Sequence, residues 1–150
     1  MDEPIDIRAW QRLDERTTTS GKIDEKDIAR LAAIGVKHVI NLALDDHPEA
    51  LADEAAILAR HGLSYTHIPV PFDAPSDAHF AAFRAALTRH GEAPVHVHCI
   101  MNYRVSAFFY RLHRDHGGMP EPQARALMEK QWAPDKTNDP RARVWAMFIK

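Results

Sequence analysis

Three times along this chain, a stretch with helical apolar spacing is closed by a glycine and followed by a short run rich in β-branched residues. Ile28, Leu31, Ala32 and Ile34 recur at helical intervals behind Asp24, a candidate N-cap. Gly35 ends that stretch before Val36-Lys37-His38-Val39-Ile40-Asn41-Leu42, which reads as a buried strand. Pro48 to Arg60 is Ala-rich and helical, His61-Gly62 closes it, and Leu63 to Val70 alternates as a strand. Ser76 and Asp77 open a third helix that carries Phe80, Phe83 and Leu87 on one stripe and runs to about His90. Gly91 then precedes the strand Pro94-Val95-His96-Val97-His98. Alternation of this kind predicts an α/β domain with a mostly parallel sheet of four to five strands, covered by helices on both faces. Ligands in such sheets bind beyond the carboxyl ends of the strands.

The flanking segments are less regular. Ile5 to Leu13 alternates roughly and reads as a first strand near a sheet edge, with Thr17-Thr18-Thr19-Ser20-Gly21 as the turn after it. From Val105 the helical spacing returns, with Phe108, Phe109 and Leu112 apolar, until Gly117-Gly118. Beyond Pro120 the pattern predicts two more helices, Glu121 to Gln131 and Pro140 to Ile149.

A chain of 150 residues predicts one domain, 1–150. Its formal net charge of −2, with basic and acidic residues interspersed, gives no electrostatic case for nucleic acid or anionic lipid as the main partner. The acidic start Met-Asp-Glu-Pro lacks the layout of a secretory signal, and no apolar run approaches ~20 residues, so a cytoplasmic protein without a membrane span is expected. Nothing in the sequence sets the oligomeric state.

The single cysteine sits where the pattern places ligands. Cys99 follows the strand ending at His98 and precedes a helix, with no proline between it and Met119. A tight turn over Ile100, Met101, Asn102, Tyr103 and Arg104 would aim successive backbone N–H groups inward and add the positive end of the helix dipole. Together these cradle an anion and favour a thiolate. Arg104, on the far side of the turn, can give a bidentate contact to a bound oxyanion. The alternative reading is a packed core cysteine beside a solvated arginine.

The segment His98-Cys99-Ile100-Met101-Asn102-Tyr103-Arg104 resembles the loop of the protein tyrosine and dual-specificity phosphatases, which reads His-Cys, five residues, Arg, then Ser or Thr. Within that superfamily the chain is most similar to a group of small bacterial phosphatase-like domains. The resemblance runs from Thr19-Ser20-Gly21 through Gly35 to Leu42 and His67-Ile68-Pro69-Val70 to the cysteine loop. It implies a three-layer cysteine-phosphatase fold, a phosphorylated substrate or other oxyanion as partner, and no cofactor. It also implies that the cysteine attacks phosphorus, that the arginine and loop amides hold the equatorial oxygens, and that an Asp protonates the leaving group before water completes the cycle.

One departure stands out. Only four residues separate Cys99 from Arg104, whereas Ser106, seven positions after Cys99, stands where the family's hydroxyl belongs, leaving Val105 in the arginine's place. One residue on a helix is about 100° of rotation, so Arg104 reaches the equivalent point only if the turn is rebuilt. The loop also lacks a glycine, and Asn102 is the residue best able to take positive φ in its stead. A four-residue gap is also the size found in rhodanese-like sulfurtransferase loops. The leading expectation is therefore phosphate-monoester hydrolysis through a cysteinyl-phosphate. A non-catalytic anion-binding pseudophosphatase is the first alternative, and sulfur transfer is the second.

Asp73, in the proline-rich loop after Val70, is the general-acid candidate, with a solvated loop carboxylate as its alternative. Asp77 is explained by its helix start, and Asp135 in Trp132-Ala133-Pro134-Asp135 falls after the cysteine. His96 and His98 alternate on one strand and face the same side, but no third ligand is evident, so no metal site is expected. His98 is expected to hold the backbone near Cys99. His113 and His116 read as solvent-exposed. Tyr103 either walls the pocket or packs over the loop.

Overall fold

The structure, a computed structural model, describes residues 2–150. Five strands, β1 (Gln11–Arg12), β2 (Thr17–Ser20), β3 (His38–Asn41), β4 (Ser64–His67) and β5 (Val95–His98), form one sheet in the order β1-β2-β5-β3-β4. Four of them run parallel, and β1 lies antiparallel at the edge. The helices are α1 (Glu25–Ala33), α2 (Glu54–Arg60), α3 (Asp77–Arg89), α4 (Tyr103–Asp115), α5 (Glu121–Glu129) and α6 (Arg143–Phe148), the last entered through a 3-10 turn at Pro140–Ala142.

Alternation along the central strands divides the core between the two faces of the sheet. Val39 joins Ile28, Leu31, Ile57 and Leu58 under α1 and α2. Ile40, Val95 and Val97 join Phe83, Phe108 and Trp145 under α3, α4 and α6. The first helix begins as its sequence implies: Asp24 caps the Asp27 amide while the Asp27 side chain accepts from the Asp24 amide, at 2.9 Å. No described helix is long and apolar enough to cross a membrane.

Three readings of the sequence need correction. Thr17 to Ser20 is a fully buried strand and not a turn, while Ile5 to Ala9 is irregular and the expected first strand shrinks to Gln11–Arg12. Threonine suits a pleated strand, and the hydroxyls here have partners: Thr19 Oγ1 donates to the Gln11 carbonyl, and Thr18 and Ser20 meet the His96 ring. The second helix starts at Glu54, six residues later than expected from Pro48, because Asp53 takes a left-handed conformation (φ +56°) that no helix can continue through. His113 is half-buried against Phe109, with ring centroids 5.6 Å apart; burial lowers its pKa, and only His116 is exposed.

Histidines inside the sheet make the fold acid-sensitive. His96 is fully buried, with Nδ1 2.8 Å from Thr18 Oγ1 and Nε2 2.8 Å from Ser20 Oγ, and burial holds its pKa well below 6.5. His38, bonded to Ser64 and Thr66, is lowered to about 4, chiefly by burial. The unfolded chain therefore takes up these protons before the folded one does. The contribution of these two histidines to stability should be full above pH 6.5 and should fall as the pH drops towards 4, by about 1.4 kcal/mol per pH unit for each histidine still held neutral. Urea midpoints measured at pH 7.5 and 4.5 should differ in that direction; equal midpoints would refute the account.

Candidate active site

The cysteine loop hangs from the carboxyl end of β5, at the centre of the sheet. Gly21, just past the end of β2, lets it pass closely: a Cβ there would sit 2.5 Å from the Ile100 carbonyl oxygen. That oxygen also accepts from the Lys22 amide at 2.9 Å. On the other side the loop turns at Asn102, whose φ of +67° makes it the left-handed N-cap of α4. Its side-chain amide donates to the Ala9 carbonyl (2.9 Å) and to Thr19 Oγ1 (3.1 Å), tying the turn to the edge of the sheet. Asparagine thus stands where a glycine would serve, held by two hydrogen bonds that a glycine could not make.

The consequence is that α4 begins at Tyr103, and Arg104 is its second residue. Among the described residues, the amides of Ile100, Met101, Asn102, Tyr103 and Arg104 have no hydrogen-bond acceptor in the chain. Five unpartnered donors in succession at the start of a helix are the kind of backbone that an anion site uses. Cys99 and Arg104 both line one cavity of about 800 Å³, together with Met101, Tyr103, Phe72 and Trp132. Arg104 Nη1 donates to the Val70 carbonyl at 2.9 Å, and the guanidinium carbon lies 5.5 Å from the centre of the Phe72 ring. Burial draws the Arg104 pKa below its ordinary value, and the Cys99 sulfur opposes that shift. With Asn102 left-handed and α4 starting at Tyr103, Arg104 lines the cavity despite the four-residue spacing.

Aromatic side chains wall the cavity. Tyr103 stacks on Trp132 with centroids 4.5 Å apart and planes 8° from parallel, and Trp132 Nε1 donates to the Tyr103 carbonyl. Phe72 sits between Trp132 and Trp145, and Trp145 Nε1 fixes the Phe72 carbonyl at 2.7 Å. Asp73 follows Phe72, exposed and on the cavity wall. Asp77 pairs with Arg111 and Asp135 with Arg125, and neither lines the cavity.

Ser106 lies elsewhere: its Oγ donates to the Tyr103 carbonyl at 3.1 Å, and the side chain borders a small void behind the loop. His98 Nδ1 reaches the Cys99 carbonyl at 3.3 Å, and Nε2 reaches Glu54 Oε2 at 2.7 Å. The four ring nitrogens of His96 and His98 are thus occupied by Thr18, Ser20, Glu54 and the Cys99 carbonyl.

Residues 9–112, well over half of the chain, match the family model described as beta-lactamase hydrolase-like protein, phosphatase-like domain. The chain belongs to this family. As a phosphatase-like domain it also has close counterparts among solved structures. A candidate phosphatase from Shewanella putrefaciens CN-32 is 29% identical with a TM-score of 0.82, and the match covers 97% of this chain and 93% of that one. TpbA of P. aeruginosa, solved as a Cys-to-Ser form in complex with phosphotyrosine, is 18% identical with a TM-score of 0.71 over 99% of this chain and 91% of that one. PTPMT1, solved in complex with PI(5)P, is 17% identical with a TM-score of 0.69 over 93% and 94%. No curated protein matches the chain. The phosphatase-like domain thus has the fold of the tyrosine phosphatase type, as its cysteine loop implies.

Sequence reasoning missed Glu54, Phe72 and Trp132 as parts of this site. Trp132 carried the one available signal, an indole in a Trp-Ala-Pro-Asp segment. Its position after the cysteine argued against that segment, yet the chain beyond α5 folds back across the cavity mouth, where Trp132, Ala133, Thr137 and Pro140 line it.

Proposed function

We propose that this domain hydrolyses phosphate monoesters through a cysteinyl-phosphate. One observation carries the proposal: the Cys99 thiol, the Arg104 guanidinium and five acceptor-free amides belong to one loop, and all of its residues except Asn102 line one cavity. In-line phosphoryl transfer asks a protein mainly for positioning and for charge stabilisation, and this loop offers both.

In the first step the Cys99 thiolate attacks phosphorus, the phosphorus–oxygen ester bond breaks, and the leaving oxygen takes a proton from Asp73. Arg104 and the loop amides hold the three equatorial oxygens. In the second step Asp73 accepts a proton from water as that water attacks phosphorus, the phosphorus–sulfur bond breaks, and inorganic phosphate leaves with the thiolate restored. Phosphorylated ligands are the substrate class we extend to this chain from the phosphotyrosine bound by TpbA and the PI(5)P bound by PTPMT1. Asp73 is assigned as the acid because it is the exposed carboxylate on the cavity wall beside Phe72; Asp139, also on that wall, is held by Arg141 at 2.8 Å.

The test is turnover of p-nitrophenyl phosphate by the purified wild-type protein, read as nitrophenolate release. Steady multiple turnover is expected. Binding of inorganic phosphate without any turnover would overturn the hydrolase reading in favour of a non-catalytic anion-binding module.

A further inference from the structure

Beneath the cysteine loop lies a buried carboxylate with no part in the chemistry above. Glu54 and His98 are each about 5% exposed, 44 positions apart in sequence, and joined at 2.7 Å. Asn41, paired with His98 across β3 and β5, turns its side-chain amide towards Glu54 Oε1 (3.5 Å) and the Tyr65 hydroxyl (3.1 Å). Glu54 is delivered by the first turn of α2, immediately after Asp53 at φ +56°. A left-handed non-glycine residue is strained and persists only where its surroundings hold it.

Hydrogen-bond accounting separates the two neighbouring histidines of β5. Ser20 Oγ donates its hydrogen to the Gly21 carbonyl, so it accepts from His96 Nε2, and the Thr18 hydroxyl donates to Nδ1; a neutral ring satisfies both. His98 faces a carboxylate and a carbonyl, both of which only accept, so a ring that satisfies both carries two protons.

We propose that Glu54 is a positioning residue for Cys99: it holds His98 doubly protonated, and the ring in turn fixes the Cys99 carbonyl and sets a positive charge beside the cysteine. This rests on the reading of Cys99 as the nucleophile. The groups facing the pair are few. Tyr65 from β4, pushed up to about 12 by burial and by Glu54, stays neutral, and so does His96 on the same strand. Lys22 and Glu49 border the small pocket behind the pair and face each other at 3.8 Å; Glu49 is held more closely by Arg8 at 2.8 Å, whose guanidinium also reaches the Ile100 carbonyl at 3.5 Å, and Lys22 faces Asp24 at 3.7 Å, so the two cations there are matched by two carboxylates. The carboxylate and imidazolium likewise sum to zero, so their effect is that of a dipole whose positive end lies towards the cysteine.

The test is the pH dependence of Cys99 alkylation by iodoacetamide, which reads the thiolate without needing turnover. In Glu54→Gln the ring loses its anionic partner, and the alkylation midpoint should move upward by about one pH unit, with a matching move in the acidic limb of kcat/KM for p-nitrophenyl phosphate. A folded Glu54→Gln with the wild-type midpoint overturns the proposal. Nitrogen-15 spectra of wild-type His98 supply a second reading that does not depend on the variant's folding: both ring nitrogens should be protonated at pH 7, and one bare nitrogen would overturn the proposal. A shifted midpoint in a protein that turns over no phosphate ester would retain the role of Glu54 while removing the hydrolase reading.

Discussion

Replacing Cys99 with serine should lower the hydrolysis of p-nitrophenyl phosphate by about 10⁴-fold or more while leaving phosphate binding intact. Cys99 is about 1% exposed and stands in the loop between β5 and α4, so exchanging sulfur for oxygen alters little of the packing. It removes the group that can be ionised near neutral pH, since a serine hydroxyl has neither an adjacent base nor a low enough pKa to attack unaided. The cradle of amides and Arg104 is unchanged, so inorganic phosphate should raise the melting temperature of Cys99→Ser and of the wild type alike. Acid quenching during turnover should trap one phosphoryl group on wild-type Cys99 and none on the variant. Appreciable multiple turnover by the serine variant would refute the covalent route, and loss of phosphate binding would mean that the sulfur itself holds the cradle together.

The parts of this architecture that sequence reveals are those fixed by local physics. Asp24, Gly35, Ser76 and Gly91 mark helix ends through capping and positive φ, and the β-branched runs after Gly35 and before Cys99 mark strands buried on both faces. That was sufficient to place Cys99 at the end of a central strand. The strand Thr17 to Ser20 eluded the same reasoning because its hydroxyls resemble turn chemistry; what buries them is His96, nearly eighty positions later.

The Glu54–His98 contact failed to register for the same reason. Nothing about a glutamate in an Ala-rich helix says that it will be turned inward beneath the sheet, and the left-handed Asp53 that aims it is visible only in the fold. Phe72 and Trp132 meet at the cavity although sixty positions separate them. In each case the missing information is a long-range pairing, which composition and periodicity do not encode.

The position of Arg104 decides how far the family's chemistry extends to this loop, and Arg104→Lys separates charge from shape. Lysine keeps the positive charge but loses the planar fork that addresses two oxygens at once, along with the hydrogen bond from Nη1 to the Val70 carbonyl. The expected result is a fall of about 10²–10³-fold in kcat/KM for p-nitrophenyl phosphate, the size seen when one donor to developing oxyanion charge is lost. Arg104→Ala should fall further and should also lose the phosphate-induced rise in melting temperature, because only the neutral amides remain in the cradle. Both variants free the Val70 carbonyl and loosen the Phe72 loop, so stability without ligand should drop modestly in each and cannot account for a difference between them. If lysine retained wild-type kcat/KM, the guanidinium would be serving Val70 and Phe72 rather than the substrate. The shortened spacing would then mark a loop whose catalytic charge comes from its amides alone.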